Sequence, residues 1–536
     1  MASSHHSSPR PFQRLKQLLY FERRDLRVVV LFALFISILS LVTPITIEAL
    51  VTTVTFGVAI WPVIWLAIAM LFCLGLAAVI TAAETRIVEH LQQRLFIRVV
   101  SDFAHRIPRV PLEAFDEQHG PSLLNRFFDL IVVQKAASFL LLDGTRLVIA
   151  TVVGLAVLGF YHPLLLAFAI GLIILILVMV GMGYGGVRSS IAESQAKYDM
   201  AEWLQSLARS PTVFKTGIGP HLALDRTNQL ARDYVDFRRM HFRIVFRQIC
   251  FALFIQVISS VLLLSLGGYL VIQQQLTLGQ LIAAELILAV VVRSLSKLGK
   301  YLDAWYDLMT GVEKLGVVTD LAVERLGGVK LIRTDAGMRL SFRGDDQGEV
   351  FTIEPNERVA LVGRSGLDIT RLLEILGGLR VSASEQVRMD GIDLNDLNLS
   401  AMREQVALVH RAEIFPGTIS DNFRAGRSMD LVDERRILLV VNLLEVAAKL
   451  PDGMQTWIQP TGLPLTENQA LRLVLARALA AKPRLLILDG VLDAIDEEDC
   501  PELLPFLFDR ANGWSLLLVG HNESVRRRCD RVIALS

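Results

Sequence analysis

Glu357-Arg-Val-Ala-Leu-Val-Gly363, Arg364-Ser-Gly-Leu-Asp-Ile-Thr370 and Arg371-Leu-Leu-Glu-Ile-Leu376 follow one another directly and decide the fold of the second half of the chain. The first piece is a short apolar run of strand type, the second a glycine-bearing loop, and the third a helical pattern. That order makes a phosphate-binding loop, because the free N–H groups of a helix N-terminus point into the loop and cradle an anion. From about Val329 onward, short apolar runs alternate with helical patterns, which predicts an α/β domain over 329–536. Only Leu326-Gly327-Gly328 marks the join to what precedes it.

The preceding half is of another kind. Of the 536 residues, 53% are hydrophobic and 20% charged, and mean hydropathy is +0.47. This excludes disorder and a purely cytosolic enzyme, and requires long segments in lipid. No charged residue occurs over Val28–Ile47, Ala49–Ala83, Leu147–Val187 or Gln248–Ala284, and the last gap resumes past Glu285 to Val292. Since about 20 residues cross a bilayer, the gaps hold six spans, at about 28–50, 58–82, 137–160, 163–186, 248–272 and 277–298. Lysine and arginine crowd the tail 1–27 and the connections near 86–146 and 188–247, whereas the turns near 51–60, 161–163 and 273–279 have none. Both termini are therefore expected in the cytoplasm. Each long connection exceeds what a loop needs, so the spans are expected to continue as helices beyond the membrane. Arg14 to Arg27 reads as an amphipathic helix on the inner membrane surface. The domain layout is then a tail and interfacial helix over 1–27, a membrane domain over 28–325, and the α/β domain over 329–536.

Single residues add little here. Glu285, inside the last span, either faces a water-filled transport pathway or lies near the outer end within reach of water. Pro44 is expected to bend the first span. Cys73, Cys250, Cys500 and Cys529 form no C-x-x-C pair, so they read as packing residues. Lys plus Arg (54) equals Asp plus Glu (54), which leaves no basic field for nucleic acid. About 27 residues precede the first span, and no peptidase domain is expected among them.

The phosphate-type loop, together with Leu450-Pro-Asp-Gly-Met-Gln-Thr456, Ala476-Arg-Ala-Leu479, Leu485-Leu-Ile-Leu-Asp489 and Leu518-Val-Gly-His521, resembles the nucleotide-binding domain of ABC transporters in order and spacing. Phe415-Pro-Gly-Thr-Ile-Ser-Asp-Asn422 resembles the stretch after that family's glutamine loop, and the six spans resemble its exporter-type membrane domain. The resemblance implies ATP and Mg²⁺ as cofactors, with Thr370 and Asp489 on the metal. It also implies a dimer whose ATP sites lie between the phosphate loop of one chain and the signature segment of the other.

The matched positions depart from the family's pattern. In G-x-x-x-x-G-K-[ST], Gly363, Gly366 and Thr370 match and Ser365 belongs to the same loop, but Asp368 and Ile369 replace the second glycine and the lysine. An apolar side chain forfeits charge-assisted hydrogen bonds worth about 1.5–3 kcal/mol each, and a carboxylate there repels a triphosphate. After Asp489, Gly490 stands where the family has its glutamate, and losing a general base costs a factor of about 100 to 10,000. The signature Leu-Ser-Gly-Gly-Gln reads Leu465-Thr466-Glu467-Asn468-Gln469, which sets an anion against an anion. His410 takes the aligned glutamine position, and Gly344 is nearest to where an adenine-stacking aromatic belongs. Asp489, Asp496 and the switch histidine His521 remain.

These losses damage both walls of a composite site, so the sequence predicts a pseudo-ATPase in which ATP and Mg²⁺ binding are weak or absent. Such a chain would be a dimeric transport or scaffold subunit of a membrane assembly. Two alternatives stand beside it: a working ATP-driven exporter half-transporter for a lipid, peptide, protein or drug-like cargo, and a non-transporting sensor of nucleotide or protein. The expected partners are the lipid bilayer, a second copy or a related half, and an envelope or secretion component. The expected place is a bacterial inner membrane.

Overall fold

The structure is a computed structural model that describes residues 11–55, 60–117, 125–344, 349–363, 366–381 and 385–534. It divides into two compact units, one built from the chain as far as Pro108 and then up to Leu321, the other from Arg109–Glu117 and from Ala322 onward.

The first unit is helical. Five helical segments are long and apolar enough to cross a membrane, at Arg23–Val54, Trp61–Arg109, Phe127–Tyr161, Pro163–Arg209 and Gly219–Ile272, and Leu278–Val292 is a shorter apolar helix. The helix Trp61–Arg106 has 46 residues and Gly219–Ile272 has 54. At 1.5 Å per residue they measure roughly 70 and 80 Å against a hydrocarbon thickness of about 30 Å, so they run far past the bilayer, as the connection lengths require. The first span is interrupted at Leu41, between Arg23–Ser40 and Val42–Thr55. Pro44 accounts for this, since its ring displaces the carbonyl of Ser40 and it donates no N–H. A π-helical turn at Leu140–Gly144 interrupts the third span, a feature no sequence pattern announced.

Three expectations need correction. The interfacial helix is Pro11–Tyr20, shorter than 14–27, and Arg14 is buried and ion-paired with Glu313 and Asp320 instead of lying at the surface. The family resemblance implies a cytoplasmic turn of the second connection near Glu202-Trp-Leu-Gln-Ser-Leu207, but the turn falls later. Residues 202–207 continue the helix Gly186–Arg209, and the chain reverses through the short helix Pro211–Lys215. Of the four cysteines, Cys500 is buried, where burial pushes its thiol up, but Cys250 is exposed and does not pack.

The second unit is the α/β domain. Strands β1 (Leu340–Arg343), β2 (Glu349–Ile353), β4 (Gln386–Met389) and β5 (Ile392–Asp393) form an antiparallel sheet in the order β2-β1-β4-β5. Strands β3 (Arg358–Val362), β6 (Val406–Val409), β9 (Leu485–Asp489), β10 (Ser515–Val519) and β11 (Arg531–Ala534) form a parallel sheet in the order β11-β3-β10-β9-β6, and β7 (Gly417–Thr418) and β8 (Trp457–Ile458) pair antiparallel by themselves. Val359, Ala360, Leu361, Leu485–Leu488 and Leu516–Leu518 are all buried, which is why these strands read as unbroken apolar runs. A parallel sheet covered on both faces offers ligands the carboxyl ends of its strands. The helix Gly366–Leu376 leaves β3 at that edge.

Candidate functional site

At the carboxyl end of β3, Gly363 leads toward the helix that begins at Gly366. Ser365 and the Asp368 side chain lie outside the described residues. Ile369, where a lysine would reach for phosphate, is 7% exposed and packs in the same core as Leu373, Ile375, Leu376 and Leu361. Its side chain is committed to the interior, so the position has lost more than a charge. Thr370 points the other way: its Oγ1 donates to Asp489 Oδ2 at 2.8 Å, joining the loop helix to the end of β9. This pair retains the oxygen ligands that hold Mg²⁺ at such loops.

Gly490 follows in the left-handed region at φ 65°, with its N–H donating to Val519 O. A Cβ placed there would meet nothing within 4 Å. A longer side chain has room, but an L-residue pays for the backbone conformation. Downstream, the Asp493 carboxylate accepts from the backbone N–H of His521 at 2.6 Å and of Asn522 at 2.8 Å. His521 is exposed and held at its backbone by a carboxylate that sequence reading passed over, because the two positions are 28 apart.

The signature segment keeps its helical start. Thr466 Oγ1 accepts from the Gln469 N–H at 3.2 Å, and Gln469 Oε1 accepts from the Thr466 N–H at 3.0 Å, a reciprocal cap on the helix Glu467–Ala480. The S/T-x-x-Q spacing was visible in the sequence and would have shown it. Between the capping pair, exposed Glu467 places an anion in the first turn, where the helix field already favours negative charge. Asn468 Nδ2 donates to Ala494 O at 2.8 Å, tying the segment to the loop that carries exposed Asp496, while Leu465 is buried. Among the described residues no hydrogen bond joins Leu465–Gln469 to Gly363–Thr370 of the same chain. His410 follows β6, and its Nε2 accepts from Arg411 Nε at 2.6 Å. Gly344 follows β1.

These residues fit a triphosphate poorly. The Thr370–Asp489 pair suits a magnesium ion, but a buried isoleucine and a glycine stand where the family's pattern has a lysine and a glutamate, and Glu467 is an exposed anion at the start of its helix.

In the helical unit, Glu285 is half-buried on Leu278–Ser296, and its Oε2 is shielded with no hydrogen-bond partner. A second intramembrane carboxylate, Glu48, accepts from Tyr161 Oη at 2.7 Å. It was legible as the one charge between the first two gaps. Arg146, just ahead of the third gap, pairs with buried Glu84, which closes the second.

Two families match the chain: "ABC transporter" over residues 347–492 and "ABC transporter transmembrane region" over 26–200. The cyclolysin secretion/processing ATP-binding protein CyaB of Bordetella pertussis is 23% identical over 528 residues, 95% of this chain and 73% of that protein. The alpha-hemolysin translocation ATP-binding protein HlyB of Escherichia coli O157:H7 is 22% identical over 535 residues, 96% and 74% of the two chains. An ATP-dependent lipid A-core flippase of Burkholderia thailandensis is 33% identical, but over 186 residues, 34% of this chain and 31% of that one. Among solved structures, a bacterial Atm1-family ABC exporter with ATP bound superposes with a TM-score of 0.81 at 18% identity, covering 96% of this chain and 94% of that one.

Proposed function

Because the chain belongs to the ABC transporter family, as an exporter-type half-transporter with its membrane region fused to a nucleotide-binding domain, we propose that it exports a cargo as a dimer while its own catalytic centre turns over ATP at no more than a trace rate. The relatives support export over the scaffold reading, since those matched along nearly the whole chain are named for secretion and translocation and the flippase for lipid A-core. A bacterial inner membrane, cytoplasmic termini, and the division into 1–27, 28–325 and 329–536 belong to the same proposal. The bundle of long apolar helices supports the membrane part of it.

The observation that carries the catalytic claim is Ile369, buried in the core where the lysine belongs. Gly490 and Glu467 act in the same direction. Thr370 and Asp489 are the residues that would hold Mg²⁺ if nucleotide bound. Asp496 and His410 stay in the proposal as flanking positions. Glu285 joins it as a transport-pathway residue, supported by its unpartnered oxygen inside a span.

Thermal melting in lipid nanodiscs tests the nucleotide site. A ligand at 100 times its dissociation constant stabilises a folded domain by about 2.7 kcal/mol. The expected result is no shift with micromolar Mg-ATP. A clear shift would favour an intact ATP-driven exporter subunit.

A further inference from the structure

A polar cavity of about 180 Å³ lies in the helical unit among the helical extensions, away from the apolar bundle. Its walls come from four helices, Phe127–Phe139, Gly186–Arg209, Gly219–Ile272 and Leu298–Thr319. Four carboxylates border it, Asp129, Glu193, Asp303 and Asp307, against the two fixed cations Lys197 and Arg238. Two of the four are accounted for: Glu193 pairs with Arg238 at 3.0 Å, and Asp129 accepts from Tyr198 Oη at 2.6 Å.

Asp303 and Asp307 are not. They sit one turn apart on the same helix, both are exposed and both line the cavity. Neither has an ion-pair or hydrogen-bond partner among the described residues. Like charges at this spacing destabilise a helix, and Arg238, Lys197 and His241 act on the two aspartates only from a distance, without ion-pairing to either, so the pair leaves room for a further cation. Across the cavity, Ser194 is 8% exposed, lines it, and has an Oγ with no hydrogen-bond partner. The buried hydroxyl, which can donate as well as accept, and the two carboxylates without an ion-pair partner leave hydrogen-bonding capacity in the cavity that no direct contact of the fold fills.

We propose that this cavity seats the cationic group, an amine or guanidinium, of the exported cargo, with Asp303 and Asp307 as its counter-charges and Ser194 Oγ as a further acceptor. An organic cation fits better than a metal ion, since no group of three His, Cys, Asp or Glu among the described residues converges closely enough to hold a metal. An ammonium carries three donors and tolerates acceptors on separate helices. At about 30 Å³ per water in the liquid, the volume suits a head group and a few methylenes, so the cavity reads one feature of a larger cargo. This assignment rests on the exporter reading above.

The test is binding of dansylcadaverine, a fluorescent primary amine, to the full chain in phosphatidylcholine nanodiscs without nucleotide, followed by anisotropy. Dansylglycine, which carries a carboxylate in its place, is the control. The amine should bind saturably and be displaced by spermidine, while the acid should not bind. Asp303→Asn with Asp307→Asn should weaken the amine at least about tenfold, and Asp303→Glu with Asp307→Glu should stay within about threefold. If the double asparagine variant does not fold, each single variant should still lose about threefold. Equal binding of amine and acid, no displacement by spermidine, or unchanged affinity in a folded asparagine variant would overturn the proposal. Because the readout needs no ATP, such a failure removes the cationic cargo and leaves the export reading standing. Conversely, an assay that finds no transport leaves the amine site intact.

Discussion

At the scale of single residues, the Ile369 side chain is part of the core and Gly490 holds a left-handed backbone, at positions where the family's pattern has a lysine and a glutamate. Repair therefore has a cost. Replacing Asp368→Gly and Ile369→Lys together should lower the stability of the ligand-free protein by about 1.5–3 kcal/mol, since a buried isoleucine leaves the interior, and should create a melting shift with ATP that the natural chain lacks. A folded, repaired protein that still ignores ATP would mean the loop is no phosphate site at all. Adding Gly490→Glu meets no steric wall but holds an L-residue at φ 65°, for about 1 kcal/mol more. The carboxylate of Asp493 on the switch loop was invisible, because a contact between Asp493 and His521 obeys no local period.

Elements were read well where a period or a charge gap marked them, and poorly where a turn had to be placed by analogy. Five of the six expected spans, the break ahead of Pro44 and the apolar strands all follow from local rules, while the span expected at 277–298 falls on Leu278–Val292, a shorter apolar helix among the described residues. The reversal of the second connection was misplaced at 202–207, although its markers stood nearby: Pro211 at the start of Pro211–Lys215 and Gly219 at the start of the next helix. A Cβ at Gly219 would sit 2.3 Å from Val213 O and 2.8 Å from Phe214 Cα, too close for any side chain. Gly219→Ala should force this turn apart, loosening the edge-on contact between Trp203 and Phe214 at 5.6 Å, and should lower the melting temperature while the far-ultraviolet helix signal persists. A melting curve unchanged within a degree would show that the turn tolerates opening.

At the scale of the whole molecule, the proposed weak nucleotide site predicts a dimer that forms without ATP acting as glue between the nucleotide-binding domains. Half of an exporter leaves apolar and small-residue surfaces that a second half covers. Family resemblance carries the turn around 211–218 to the opposite chain. Cysteine pairs between 211–218 and 380–425, in a background lacking the four native cysteines, should crosslink between chains in the absence of nucleotide. Crosslinks confined to single chains would favour a monomeric regulator. Which partner completes the dimer, and which cargo moves, were never legible in one chain, because the same architecture serves many cargoes. The central claim is that this exporter subunit turns over ATP at no more than a trace rate, and phosphate release measures it directly. Purified full-length protein in nanodiscs at millimolar Mg-ATP should release phosphate at a trace rate that Asp489→Asn leaves unchanged; turnover near about one per second that Asp489→Asn abolishes would contradict the account.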